Sequence, residues 1–86
     1  MSDIIDNAAD SRFELRIDDQ VAYADYRRQG QDLYIDYVFA PPPLRGTGAA
    51  DRLMRGIVAV AGAQHLKIVP ICGYAVVWLK RHSLKN

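Results

Sequence analysis

Eighty-six residues, half of them hydrophobic, make one small domain near the lower size at which an apolar core alone sustains a fold, which leaves no room for a second domain and argues against disorder. The net charge is +1 and no strongly basic stripe is interleaved with aromatics, so nucleic acid is not an expected partner; the longest apolar run, Ile57 to Ala63, is far below the roughly 18 to 20 residues that span a bilayer, so neither is a membrane. A single cysteine, Cys72, and two isolated histidines exclude an internal disulfide and give no metal site.

Taken in chain order, residues 1–10 carry Asp3, Asp6 and Asp10 without the basic stretch of a signal peptide; they read as a flexible lead-in, and the protein as cytoplasmic. From Ser11 to Asp18, Phe13, Leu15 and Ile17 alternate with Arg12, Glu14 and Arg16, the period of a strand with one wet face. Asp18-Asp19-Gln20 makes a turn, Val21 to Arg28 a second strand, and Gln29-Gly30-Gln31-Asp32 a second turn. A third strand, Leu33 to Ala40, is expected to put Leu33, Ile35, Tyr37 and Phe39 on one face and Tyr34, Asp36 and Val38 on the other, and it stops at Pro41-Pro42-Pro43.

The period then changes. Leu53, Ile57, Val60 and Ala61 form a helical stripe within Ala49 to Ala63, Lys67 to Ile71 is a short apolar strand, and Tyr74 to His82 regains helical spacing at Ala75, Trp78, Leu79 and His82. The order β-β-β-α-β-α predicts an α+β domain over 11–82, an antiparallel meander followed by helix, strand and helix, with 83–86 as a flexible tail. Charge is polarised along it: residues 1–36 hold nine acids and four bases, residues 37–86 one acid and seven bases. The basic half suits a small polyanion, although a charge run also serves as a solvated face.

Between third strand and first helix lies Pro41-Pro42-Pro43-Leu44-Arg45-Gly46-Thr47-Gly48-Ala49-Ala50. The prolines push Ala40 into an extended conformation, the glycines let backbone N–H groups approach a ligand, and the helix start adds its own unpaired N–H groups and positive dipole end. That arrangement suits a phosphate, with a plain Pro/Gly connector as the alternative. It is neither GxxxxGK[ST] nor GxGxxG.

With the anchors Leu44-Arg45-Gly46-Thr47-Gly48-Ala49-Ala50, Lys67-Ile68-Val69-Pro70-Ile71-Cys72 and Trp78-Leu79-Lys80-Arg81-His82, the chain from about Arg12 to His82 resembles the small single-domain branch of the GNAT superfamily of N-acetyltransferases. The resemblance implies a minimal GNAT-like fold and transfer of an acetyl group from acetyl-CoA to an amine. It implies that the backbone amides of Arg45, Gly46, Thr47, Gly48, Ala49 and Ala50 bind the pyrophosphate. The pantetheine would then lie in a splay between the third strand and the strand ending near Ile71, with Cys72 at its end.

Acyl transfer from a thioester needs N–H donors for the developing oxyanion and a proton for the departing thiolate. Val38, Phe39 and Ala40 immediately precede the loop, so an N–H released there by a bulge or by the prolines would meet the thioester oxygen. Cys72 is a candidate nucleophile, proton donor or pocket lining, Tyr74 a candidate proton donor or helix anchor, and Asp36 a candidate general base or wet-face carboxylate. For His82, a cofactor-phosphate or helix-end role competes with simple solvation, and His65 reads as structural. Related chains carry a polar His-Thr-Glu run where this one has Tyr37-Val38-Phe39, so a base from that stretch is missing and a catalytically weak or inactive CoA-binding or interaction module is the alternative. The two helices that larger relatives place between their first strands are also missing, which implies an open acceptor site, better suited to a protein amine or a partner-completed pocket than to an enclosed small metabolite, with the acceptor left open between a small-molecule and a protein amine. It leaves the first strand's edge available to a second copy, making a homodimer a candidate assembly.

Overall fold

A computed structural model of the protein describes residues 4–82. Five strands, β1 (Ile5–Asn7), β2 (Arg12–Ile17), β3 (Gln20–Gln29), β4 (Asp32–Phe39) and β5 (Lys67–Pro70), form one sheet in the order β1-β2-β3-β4-β5. All pairs are antiparallel except β4 with β5, which run parallel because α1 (Ala49–Ala63) crosses over between them. The second helix, α2 (Gly73–His82), follows β5, and single 3₁₀ turns occupy Ala8–Asp10 and Pro42–Leu44. The two-layer α+β architecture is the minimal GNAT-like one, with one strand more than the sequence suggested.

That strand is β1, inside the stretch read as flexible. Ile5 to Asn7 pair with Glu14 to Arg12, Tyr26 Oη donates to Asp6 Oδ1 at 2.6 Å, and Ile4 packs against α1. Gly56 makes this approach possible, since a Cβ there would stand 2.8 Å from Ile4 Cγ2. The edge of β2, expected to be open, is therefore covered over Arg12 to Glu14 by the chain's own N-terminal segment, which leaves Leu15 to Ile17 without a β1 partner. Residues 83–86, read as a tail, lie outside the described residues.

Phe13, Leu15, Ala22, Ala24, Leu33 and Ile35 from the sheet meet Leu53, Met54 and Ile57 of α1 and Ala75 and Trp78 of α2 in one core. Their burial is the main stabilising contribution. Both helices lie on this face, and among the described residues no helix covers the other.

One residue decides the geometry of β4. The β3–β4 register runs Asp25↔Tyr37 and then Tyr26↔Ile35, so Asp36 is an extra residue, a β-bulge. Strict alternation had placed Tyr37 and Phe39 with Leu33 and Ile35. The bulge shifts the parity, so Val38 and Ala40 pack against the core, while Tyr37 and Phe39 turn outward to join Tyr23, at 6.4 and 5.3 Å between ring centroids. Pairing with β5 stops at the same point, with Ile35↔Pro70, and the Ile35 carbonyl accepts from both Ile71 N (3.0 Å) and Cys72 N (3.2 Å). Beyond it β4 leads to the proline turn and β5 to α2, and the strands part.

Candidate functional site

The site is built where the two strands part. Leu44, 6 % exposed, plugs the core and fixes the start of the loop, while Leu44 N donates to Pro41 O and Arg45 N to Pro42 O. Gly46 and Gly48 take φ of 79° and 83°, left-handed values that a side chain would strain. A Cβ on either would meet no atom within 4 Å, so the glycines face open space and serve the backbone path rather than internal packing.

Gly48 is the N-cap of α1 and offers no side-chain acceptor. The first-turn N–H groups of Ala49, Ala50 and Asp51 have no intrahelical partner by helix geometry, and no side-chain cap hydrogen bond is made at Gly48 among the described residues. Of the six amides expected to act together, two are engaged within the loop: Arg45 N as above, and Thr47 N, which donates to Leu44 O at 3.2 Å. Gly46, Gly48, Ala49 and Ala50 are the remaining set. The Arg45 side chain turns back, its Nε donating to Ala40 O at 2.9 Å and its guanidinium lying 5.8 Å from the Phe39 ring centroid, while Thr47 Oγ1 donates to Leu44 O.

A cavity of about 280 Å³ opens over these amides, lined by Ala40, Gly46, Gly48, Ala50, Asp51 and Tyr74 among others. Loop, end of β4 and start of α2 thus meet, bringing Tyr74 beside the amides. Burial and the nearby Asp51 carboxylate push the Tyr74 phenol above its ordinary value, so it holds its proton at neutral pH. A larger cavity of about 430 Å³ lies between α1, β5 and α2; it is lined mainly by aliphatic side chains and contains no loop residue, so it is not this site.

Cys72 sits directly before α2 and acts as its cap, the sulfur accepting from Ala75 N at 3.5 Å and the carbonyl from Val76 N at 3.1 Å. It is half-buried against the core. Asp36 is apart from the cavity: it points to the uncovered face, where Arg27 grips it with Nε at 2.7 Å and Nη2 at 2.9 Å and holds its carboxyl below the usual range. Val38 faces the core, Phe39 the uncovered face, and Ala40 lines the cavity. His65 is exposed at the end of α1 with φ 57°.

Sequence reasoning missed the group tying the two helices together. Asp51 Oδ1 accepts from Trp78 Nε1 at 2.9 Å and Oδ2 from Arg55 Nε at 2.8 Å; His82 stacks on Trp78 at 3.8 Å, and its Nε2 lies 3.7 Å from Asp51 Oδ1. The Asp51–Arg55 spacing of four was a usable signal; the reach from Asp51 to Trp78 was not. His82 is thereby engaged at the helix pair.

A family model described as GCN5-related N-acetyl-transferase matches residues 12–85 of the chain. No curated protein matches it.

Proposed function

The chain belongs to the GCN5-related N-acetyltransferases, and on that premise we propose that it transfers the acetyl group of acetyl-CoA to an amine, with the amides over the cavity holding the pyrophosphate. The observation that carries this reading is the uncapped start of α1, preceded by two left-handed glycines facing open space, at the mouth of a gap between parallel strands. Acetyl-CoA supplies an activated thioester carbonyl. The protein's part is to orient and to move protons.

Gly46, Gly48, Ala49 and Ala50 bind the diphosphate through N–H groups, aided by the α1 dipole and needing no lysine. The edge of β4 beyond Ile35 has no β5 partner among the described residues, so a backbone N–H between Val38 and Ala40 is available to the thioester oxygen. Tyr74, protonated and beside the amides, is the proton donor for the departing thiolate. Cys72 lines the end of the path as the α2 cap, its sulfur accepting from Ala75 N. The amine enters from the uncovered sheet face, which admits a small molecule or a protein side chain.

Calorimetric titration of acetyl-CoA and CoA, followed by mass spectrometry of a polyamine, a lysine peptide and an arylalkylamine incubated with protein and acetyl-CoA, tests the reading. Saturable binding and an added acetyl group are expected. Binding with no transfer to any amine favours the CoA-binding module, which the engagement of Asp36 by Arg27 supports. No binding at millimolar ligand refutes both.

A further inference from the structure

Asp51 stands where its charge is unfavourable for the proposed ligand: a carboxylate in the first turn of α1, lining the cavity whose amides face an anion. Its two oxygens are both used, Oδ1 by Trp78 Nε1 and Oδ2 by Arg55 Nε, and these contacts keep it ionised. Trp78 is only 6 % exposed and is further fixed by the His82 ring stacked upon it and by the 2.8 Å contact of His82 Nδ1 with the Trp78 carbonyl. Tyr74, Trp78 and His82 are spaced four apart, one stripe along α2. Whatever fixes the rotation of α2 at Trp78 therefore fixes Tyr74 one turn earlier, and with it the Cys72 cap.

We propose that Asp51 is a positioning residue that holds α2, and through it Tyr74 and Cys72, against the amide cradle, while its charge weakens binding of the very anion the cradle holds. The proposal rests on the function proposed above. It predicts effects of opposite sign: removing Asp51 tightens ligand binding and loosens the head of α2. A residue that merely supports the fold would weaken both.

Cys72 and Trp78 are the sole cysteine and tryptophan, so both ends can be followed without an assay of turnover. Acetyl-CoA affinity is measured by calorimetry, and protection of the Cys72 thiol by bound acetyl-CoA from its rate of reaction with a colorimetric disulfide, in wild type, Asp51→Ala, Asp51→Asn and Trp78→Phe. Asp51→Ala should bind acetyl-CoA about two- to tenfold more tightly, as expected for loss of one like charge near the surface, yet protect Cys72 less than wild type does. Asp51→Asn, which keeps an acceptor for Trp78 Nε1, should bind as tightly and regain protection. Trp78→Phe, which keeps the charge, should lose protection at unchanged affinity. Weaker binding by Asp51→Ala, or equal protection in all four proteins, would overturn the proposal. Failure of the functional reading shows separately, as absence of binding heat in wild type.

Discussion

Ala50→Glu sets the stability of α1 against its capacity to hold an anion. Ala50 is the second residue of α1, half-buried on the cavity wall, so a longer side chain extends over the amides rather than into the core. A carboxylate in the first helical turn adds about 0.3–1 kcal/mol of dipole stabilisation, against a few tenths lost in helix propensity, so the melting temperature should hold. At about 6 Å and an effective dielectric of about 20 to 80, the same charge repels each charge of a diphosphate by about 0.7 to 2.8 kcal/mol. With two such charges, acetyl-CoA affinity should fall by about tenfold or more, and Ala50→Gln, with the same shape and no charge, should keep most of it. Calorimetry on the three proteins measures this, with thermal denaturation as control. Equal affinity in the Glu and Gln variants would refute an electrostatic anion site at the helix start.

Gly48→Ala should lower stability by about 1–2 kcal/mol through its φ of 83° alone, since a Cβ there touches nothing, and thermal denaturation should show it. Deleting Asp36 should remove the bulge without moving any other β4 side chain to the opposite face, because Tyr37 would then alternate regularly with Ile35; the fold should survive while acetyl-CoA binding weakens, and undiminished binding would show that the bulge does not open the cleft. Glu14, held below its ordinary value of 4.5 chiefly by hydrogen bonds from Arg16 and Asn7, stabilises the fold above that value and loses the contribution as pH falls through its folded pKa; the stability gap between wild type and Glu14→Gln should close on acidification. Tyr26, pushed up to about 12 by burial and the Asp6 hydrogen bond, stabilises the fold below pH 10 and loses that contribution between 10 and about 12, a loss that Tyr26→Phe should abolish in alkaline denaturation.

Periodicity carried most of the fold because each long element buries one face. Phe13 and Leu15 alternating with Arg12 and Glu14, and Leu53 with Ile57 at helical spacing, mark their elements without help from the rest of the chain, although Glu14, expected on a wet face, is itself buried, where Arg16 and Asn7 hold it. Three features were not legible, each depending on a distant residue. Strand β1 is three residues long and is fixed by Ile4 on Gly56 and Asp6 on Tyr26, contacts spanning 52 and 20 positions. The bulge at Asp36 leaves no local mark, because Leu33 to Phe39 alternates acceptably in either register. Within the site, the glycines announced the loop, but which amides it consumes internally was settled by the 3₁₀ turn at Pro42–Leu44, whose carbonyls capture Arg45 N and Thr47 N.

The uncovered sheet face poses a physical problem that the chain solves with arginine. Without a helical layer there, Tyr23, Tyr34, Tyr37 and Phe39 would present a continuous apolar patch to water, an invitation to aggregation. Arg12 lies 3.9 Å from the Tyr23 ring centroid, Arg27 4.7 Å from that of Tyr34 and Arg45 5.8 Å from that of Phe39. Each guanidinium lies against a ring, and Arg12 and Arg27 also pair with Asp25 and Asp36, although Arg12 Nε is buried and makes no hydrogen bond among the described residues. The consequence for the proposed reaction is direct: the carboxylates on this face are already neutralised, so an incoming ammonium finds little there to draw it by charge. Tyr37, 49 % exposed and without a stacked arginine among the described residues, is the ring left open beside the cleft. On the proposed function, selection of an acceptor on such a face would rest on its shape and apolar body more than on its charge.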